Sequence, residues 1–303
     1  MENSLITILG TTATGKTKLA SQLAALIGGE IISADSRQVY REMNLGTGKD
    51  LSDFEVNGLQ IPYHLIDIVD PGYEFNVYEY QQHFYKAYQK VIDNENIPIL
   101  VGGTGMYIEA VLKSYRMAKV GRNEGLRLRL KAKSDEELIE ILLENRVLHN
   151  TTDTTDRERI LRAIEIDEHY RNHPELFKDI PKIRSINFGI RFDRASIRNR
   201  ITERLDQRFK EGMLEEVQRL LDDGISADVL KFYGLEYKFM TQHLLGEIEY
   251  NEMFNLLNTA IHQFAKRQET WWRKMEKQGI KINWLDGNSS DEEKIGLILG
   301  KLK

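Results

Sequence analysis

A chain of 303 residues, 41% hydrophobic and 29% charged, can bury a full core as one large domain or two modest ones. Seven histidines but no cysteine exclude disulfides, thiolate nucleophiles and cysteine-ligated zinc, and a mean hydropathy of -0.46 without an apolar run of about eighteen residues argues against a membrane span. The net charge of -5 and pI of about 5.9 set a first expectation against a nucleic-acid partner, although a sum of charges says nothing of how they are distributed.

Met1-Glu2-Asn3 leads into a strand-like run without a basic start, so a cytoplasmic protein without a signal peptide is expected. Leu5 to Leu9 is apolar and β-branched, and Gly10 closes it. A helix is predicted over Lys16 to Ile27, with Leu19, Ala20, Leu23, Ala24 and Ile27 at helical spacing. Glu30 to Ser33 and Ile97 to Val101 read as further strands, the latter ended by Gly102-Gly103. Strand, glycine turn and helix recurring in this way predict an α/β fold with a parallel sheet. The turns then share the carboxyl edge of the sheet, where such folds bind ligands. From Tyr115 to Lys182 the strand-type runs vanish and helical periodicity takes over, as in Leu138 to Leu142 and Ile160 to Ile166. Ile186 to Phe192 reads as a strand returning to the sheet. Amphipathic helices are predicted over Ser196 to Leu221 and Tyr250 to Lys277, with Ile280 to Trp284 as a late edge strand. The domain reading is a core of residues 1–114 and 183–303 with a helical insertion at 115–182.

Gly10-Thr11-Thr12-Ala13-Thr14-Gly15-Lys16-Thr17 is a G-x-x-x-x-G-K-T loop between a predicted strand and helix. Its glycines let successive backbone N–H groups face phosphate oxygens, and the helix N-terminus adds positive potential. Lys16 suits the phosphate charge and the Thr17 hydroxyl suits Mg²⁺. The loop marks a nucleotide-binding or other polyphosphate site without choosing the polyphosphate; an ATP-binding small-molecule kinase would use the same loop. The acid that such a kinase wants after an apolar strand has one loose candidate, Asp67, which reads equally well as a turn residue before Asp70-Pro71-Gly72. Asp35 closes the second strand, where a carboxylate can hold Mg²⁺ through water, accept a proton or cap the next segment. Thr104 stands in the third turn, again as a site residue or an N-cap. The seven histidines show no metal-ligand spacing.

These segments carry a resemblance. G-T-T-A-T-G-K-T, I-I-S-A-D-S-R-Q-V-Y, N-L-G-T-G-K, I-P-Y-H-L-I-D-I, I-L-V-G-G-T-G-M-Y and F-A-K-R-Q-E-T-W-W-R follow one another in an order that resembles the bacterial tRNA dimethylallyltransferase (tRNA isopentenyltransferase) family. The resemblance spans about Leu5 to Trp284. It implies a P-loop NTPase-like parallel sheet core with a helical insertion domain. It also implies transfer of a dimethylallyl group from dimethylallyl diphosphate to the exocyclic amine of the adenosine immediately 3′ of the tRNA anticodon. Gly10, Thr11, Thr12, Ala13, Thr14, Gly15, Lys16 and Thr17 match the diphosphate loop, with Thr17 on Mg²⁺. Asp35 matches the general base, Thr104 a residue beside the reacting groups, and Arg208 an arginine on the diphosphate. Asp35, Ser36, Arg37 and Gln38 match a tRNA-contacting segment, as do Arg127, then Glu158, Arg159, Ile160, Leu161 and Arg162, and finally Lys266, Arg267, Gln268 and Arg273. The implied partners are a tRNA anticodon stem-loop and dimethylallyl diphosphate, with the protein a monomer away from membranes.

The chain departs from the family at Thr11 and Thr14, where proline and serine are usual. It also departs at Gly234-Leu235-Glu236-Tyr237, where G-Y-R/K-E is usual, and around Ser114 to Val120. An acidic Glu236 in place of a base is expected to weaken phosphate binding or alter tRNA preference. The basic run from Arg116 to Lys133 and the cation–aromatic run from Lys266 to Lys277 read either as tRNA contacts or as solvated and amphipathic helix faces; at least one tryptophan of the latter is expected to be buried. Rival readings are an adenylate isopentenyltransferase, the P-loop kinase and a noncatalytic tRNA-binding protein.

Overall fold

The structure, a computed structural model, describes residues 4–145, 154, 156–174 and 180–302. Met1–Ser114 with Lys182–Lys303 form one compact unit and Tyr115–Pro181 a second.

The first unit opens with strand β1 (Leu5–Gly10), helix α1 (Lys16–Ile27) and strand β2 (Gly29–Ala34). Both strands are buried along their whole length, which is what a continuous apolar run does when helices cover both faces of a parallel sheet. Gly28, in the left-handed conformation, ends α1 and feeds β2 directly. A small antiparallel pair, β3 (Glu55–Val56) and β4 (Leu59–Gln60), precedes strand β5 (Tyr63–His64). Helix α2 (Val77–Asp93) starts at a capping box in which Asn76 and Glu79 satisfy each other's backbone N–H. Strand β6 (Ile97–Gly102) and helix α3 (Gly105–Leu112) complete this half.

The second unit holds α4 (Glu124–Leu130), α5 (Asp135–Asn145) and α6 (Arg157–Asn172). Leu126, Leu130, Leu138, Leu142, Ile160 and Ile164 form its own small core. The first unit resumes with β7 (Ser185–Arg191), α7 (Arg194–Lys210), α8 (Met213–Asp222), α9 (Ala227–Phe232), α10 (Leu235–Leu244), α11 (Tyr250–Lys277), β8 (Ile282–Asp286) and α12 (Asp291–Leu302). The single helix predicted over Ser196 to Leu221 is two, because Gly212 adopts a left-handed φ of 96° that no helix can continue through. Among the described residues no helix is long and apolar enough to cross a membrane.

Six strands, all paired in parallel, run in the order β5-β2-β6-β1-β7-β8, with β8 at one edge. Leu19, Leu23 and Ile298 of α1 and α12 cover one face; Phe84, Ile108 and Trp272 of α2, α3 and α11 cover the other. The carboxyl ends of β1, β2 and β6 therefore open side by side onto the three glycine-flanked turns. The approach there is tight: a Cβ on Gly102 would lie 2.2 Å from the Ala34 carbonyl oxygen. Gly102→Ala is expected to cost about 1–3 kcal/mol, since backbone on a neighbouring strand must give way. Urea denaturation measures it, and an unchanged midpoint would contradict this close approach.

Candidate active site

The phosphate loop is shaped before any anion arrives. Ala13 and Gly15 take positive φ, 62° and 76°, and Gly15 stands at the N-terminus of α1. The Thr14 hydroxyl donates to the Thr11 carbonyl at 2.9 Å, and Lys16 Nζ donates to the same oxygen at 3.2 Å. Gly10 lacks room for a side chain because a Cβ would meet Thr14 Oγ1 at 2.9 Å. Threonine at positions 11 and 14 thus leaves the loop intact, since what the fold needs there is backbone and one hydroxyl. Burial pulls the Lys16 ammonium down to about 8; Asp35 nearby opposes that fall and Arg204 adds to it.

Asp35 stands just beyond β2. Its Oδ1 accepts from the Arg37 backbone N–H at 2.9 Å, which makes a local turn rather than a helix cap and leaves the other oxygen outside that bond. Thr104 precedes α3 but makes no side-chain cap. Its Oγ1 accepts instead from the Ser36 backbone N–H at 3.0 Å and so joins the second and third turns. Gln38 accepts from Ser33 Oγ and donates to the Gly48 carbonyl, both at 3.2 Å, which brings the Gly46–Gly48 stretch to the same place. Lys16, Thr17, Asp35, Thr104 and Gln38 line one cavity of about 510 Å³.

Several of the expected site residues are held in contacts within the protein. Arg208 is buried, paired to Asp50 and 3.6 Å from Glu211, and it lines only a side pocket of about 60 Å³. One and two helical turns earlier, Arg204 and Arg200 face the loop: Arg200 Nε donates to the Ala13 carbonyl at 2.9 Å, and Arg204 NH1 reaches Thr12 Oγ1 at 3.5 Å. Arg200 and Arg204 thus stand over the loop in the main cavity, while Arg208, four residues further along the same face of α7, shares the side pocket with Thr12 and Ala13 of the loop. Gln268 is not an exposed RNA contact. It is buried, accepts from the Thr12 N–H and donates to the Gly103 carbonyl, both at 2.9 Å. Beside it Lys266, Arg267 and Arg273 are exposed, Trp272 is fully buried and Trp271 packs over Gly105.

In the second unit Arg127 is a structural cross-link. Its guanidinium holds Glu165 through Nε at 2.6 Å and Glu158 through NH1 at 2.6 Å, with its side chain 10% exposed. Burial pushes Glu165 up, but hydrogen bonds from Arg127, the Asn123 N–H and Arg162 outweigh it and hold the carboxyl below its ordinary value. Ile160 and Leu161 are buried in the core of this unit; Arg159 and Arg162 stay on the surface. The basic run is matched by acids, with Arg122 on Glu124, Arg129 on Glu168 and Lys133 on Glu137.

Asp67 is the turn residue of the two readings: φ is 55° and its carboxylate pairs with the buried Lys49. Among the described residues no group of histidine, aspartate or glutamate is arranged to hold a metal by itself; His149 lies outside them. A single protein hydroxyl, Thr17, still suits Mg²⁺, which keeps several waters and takes its other ligands from phosphate oxygens. Glu236, the departure in the first turn of α10, also lines the cavity, and it shares the side pocket with Thr12 and Ala13 of the loop.

A parallel sheet with a G-x-x-x-x-G-K-T loop, two arginines over it and a carboxylate opposite defines a P-loop NTPase-like α/β core. A family model described as IPP transferase matches residues 38–275, and the chain belongs to that family. It is 54% identical over 299 residues to the tRNA dimethylallyltransferase 2 of Bacteroides fragilis, covering 99% of this chain and 98% of the relative. With the tRNA dimethylallyltransferase 1 of Parabacteroides distasonis it shares 52% identity, over 96% and 95% of the two chains. The crystal structure of the full-length tRNA isopentenylpyrophosphate transferase of Bacillus halodurans superposes with a TM-score of 0.73 at 29% identity, covering 99% of this chain and 95% of that one.

Proposed function

We propose that this protein transfers the dimethylallyl group of dimethylallyl diphosphate to the exocyclic amine of the adenosine immediately 3′ of the anticodon in tRNA, releasing diphosphate. The observation that carries the reading is the meeting of the Lys16–Thr17 loop, Arg204 and Asp35 in one cavity. As the allylic carbon–oxygen bond breaks, negative charge grows on the diphosphate. Lys16, Arg200 and Arg204 stabilise it, aided by the backbone N–H groups of the loop. The Thr17 hydroxyl would hold Mg²⁺, which when bound would supply further neutralisation of that charge.

The adenine amine is a weak nucleophile. Asp35 accepts its proton as the new carbon–nitrogen bond forms, and Thr104 with Ser36 fixes the turn that presents Asp35. The base must leave the anticodon-loop stack to reach this point, at a cost of a few kcal/mol. Contacts to the RNA offset that cost, from the Arg37 segment, from exposed Lys266, Arg267 and Arg273 on α11, and from Arg159 and Arg162 of the second unit. The protein works as a monomer in the cytoplasm.

Radiolabelled dimethylallyl diphosphate, offered with an anticodon stem-loop and with AMP, tests the reading. Label is expected in the stem-loop. Transfer to AMP alone would replace the reading with an adenylate isopentenyltransferase. Transfer to neither, with ATP-dependent phosphorylation of a metabolite, would replace it with a kinase, and binding of the stem-loop without any transfer would leave a tRNA-binding protein.

A further inference from the structure

Of the carboxylates that line the polar cavity, Asp35 serves the transfer chemistry, Asp50 is paired with Arg204 and Arg208, and Asp53 and Glu236 are left unassigned. Glu236 alone of these also lines the side pocket that holds Thr12 and Ala13 of the loop. Glu236 stands in the first turn of α10, just after Gly234 at φ 127°, and lines both the main cavity and the side pocket. Among the described residues its carboxylate forms no ion pair, and its hydrogen bonding is to its own backbone N–H. The nearby cations are engaged elsewhere. Arg204 donates to Gly48, at 3.3 Å, and lies 3.4 Å from Asp50, while Arg37 reaches the Phe232 carbonyl at 3.5 Å. The charged groups facing Glu236 are Arg204 of α7 and Asp35 and Arg37 of the turn after β2. Around the same cavities stand Lys16 of the loop, Asp50 and Asp53 from the stretch before β3, Arg200 of α7, Arg267 of α11 and Arg208 in the side pocket, and Tyr237 follows on α10 itself.

We infer that Glu236 is a diphosphate-binding residue that works in its neutral form: when the anion occupies the loop, Glu236 takes a proton from solvent and donates that O–H to a diphosphate oxygen. The geometry leaves few alternatives for an unpaired carboxylate facing a phosphate cradle. As an anion it repels the ligand; as an acid it becomes another donor among the backbone N–H groups, Lys16 and Arg204. The shift needed is small, because burial already raises Glu236 to about 7, with Asp35 adding to the rise and Arg204 and Arg37 opposing it. Negative charge arriving on the loop moves it further in the same direction. Glutamate here, where the family usually carries a base, then does not cancel phosphate binding but makes it proton-linked.

The sign follows from linkage. A group that binds its proton more tightly in the loaded site favours binding at low pH, and the advantage fades as pH rises through the value of the empty site. Affinity is therefore full below about pH 7 and falls by about tenfold for each pH unit above it, until the loaded site itself loses its proton.

The inference rests on the diphosphate reading of the loop, and calorimetry with sodium diphosphate and MgCl₂ separates the two. Titrations run between pH 6 and 8, in buffers of different ionisation enthalpy, for the unmodified protein and for Glu236→Gln. The unmodified protein is expected to take up more protons on binding than Glu236→Gln. Its affinity is expected to fall about tenfold more across that range. Glu236→Ala reads the same difference should the glutamine variant fold poorly. Equal proton uptake and parallel pH profiles would overturn the role of Glu236 while keeping the loop as a diphosphate site. No binding to either protein would overturn both.

Discussion

Asp35→Asn is expected to lower the single-turnover rate of prenyl transfer by about 100- to 10,000-fold, the range lost with a general base, while tRNA binding is retained. The structure makes this substitution a clean one. The Asn Oδ1 can still accept from the Arg37 N–H, so the turn that carries Ser36, Arg37 and Gln38 keeps its shape. Thr104 continues to hold the Ser36 N–H. Only the capacity to take a proton is lost. Rapid-quench measurement with enzyme in excess reads the chemical step apart from product release; an unchanged rate there would remove Asp35 as the base.

The second large effect falls on stability. Arg127→Glu removes the guanidinium that Glu165 and Glu158 share and sets a third carboxylate between them. Glu165 is buried, so breaking its pair is expected to cost about 3–5 kcal/mol. Arg129→Glu, only two residues away, touches a side chain that is 65% exposed and paired to Glu168; its cost is expected to stay under about 1 kcal/mol. Chemical denaturation followed by helical circular dichroism compares the two. Equal losses would show that Arg127 is not the cross-link of its unit. Weakened tRNA binding in Arg127→Glu then reports a damaged unit, not a lost phosphate contact.

The contrast shows what was legible in the sequence. The strands of the sheet and the phosphate loop were, because parallel strands buried on both faces read as uninterrupted apolar runs ended by glycine. The long helix over Tyr250 to Lys277 was as well, being amphipathic along its length. Helices α8 to α10 were less so: they are short, and only Gly212 marks the first break. At the site, Lys16, Thr17, Asp35 and Thr104 were placed by strand ends, which local pattern locates well. Arg200 and Arg204 were not legible beside Arg208, since three arginines four residues apart look alike until the helix is docked. Charge runs misled in the same way. Arg127 and Gln268 sit in basic segments, yet their partners lie 31 and 38 residues away for the first and 165 and 256 for the second. Only tertiary structure shows that these side chains are already occupied.

Gln268 has one consequence of its own. It fastens two turns of the sheet edge with a single amide, taking a proton donor at one end and offering one at the other. Glutamate would set an oxygen against the Gly103 carbonyl. Lysine would set a charge against the Thr12 N–H, and asparagine falls a methylene short. Glutamine has both the reach and the polarity for this clasp. The exposed Lys266, Arg267 and Arg273 are therefore borne by a helix that one buried amide ties directly to the phosphate loop.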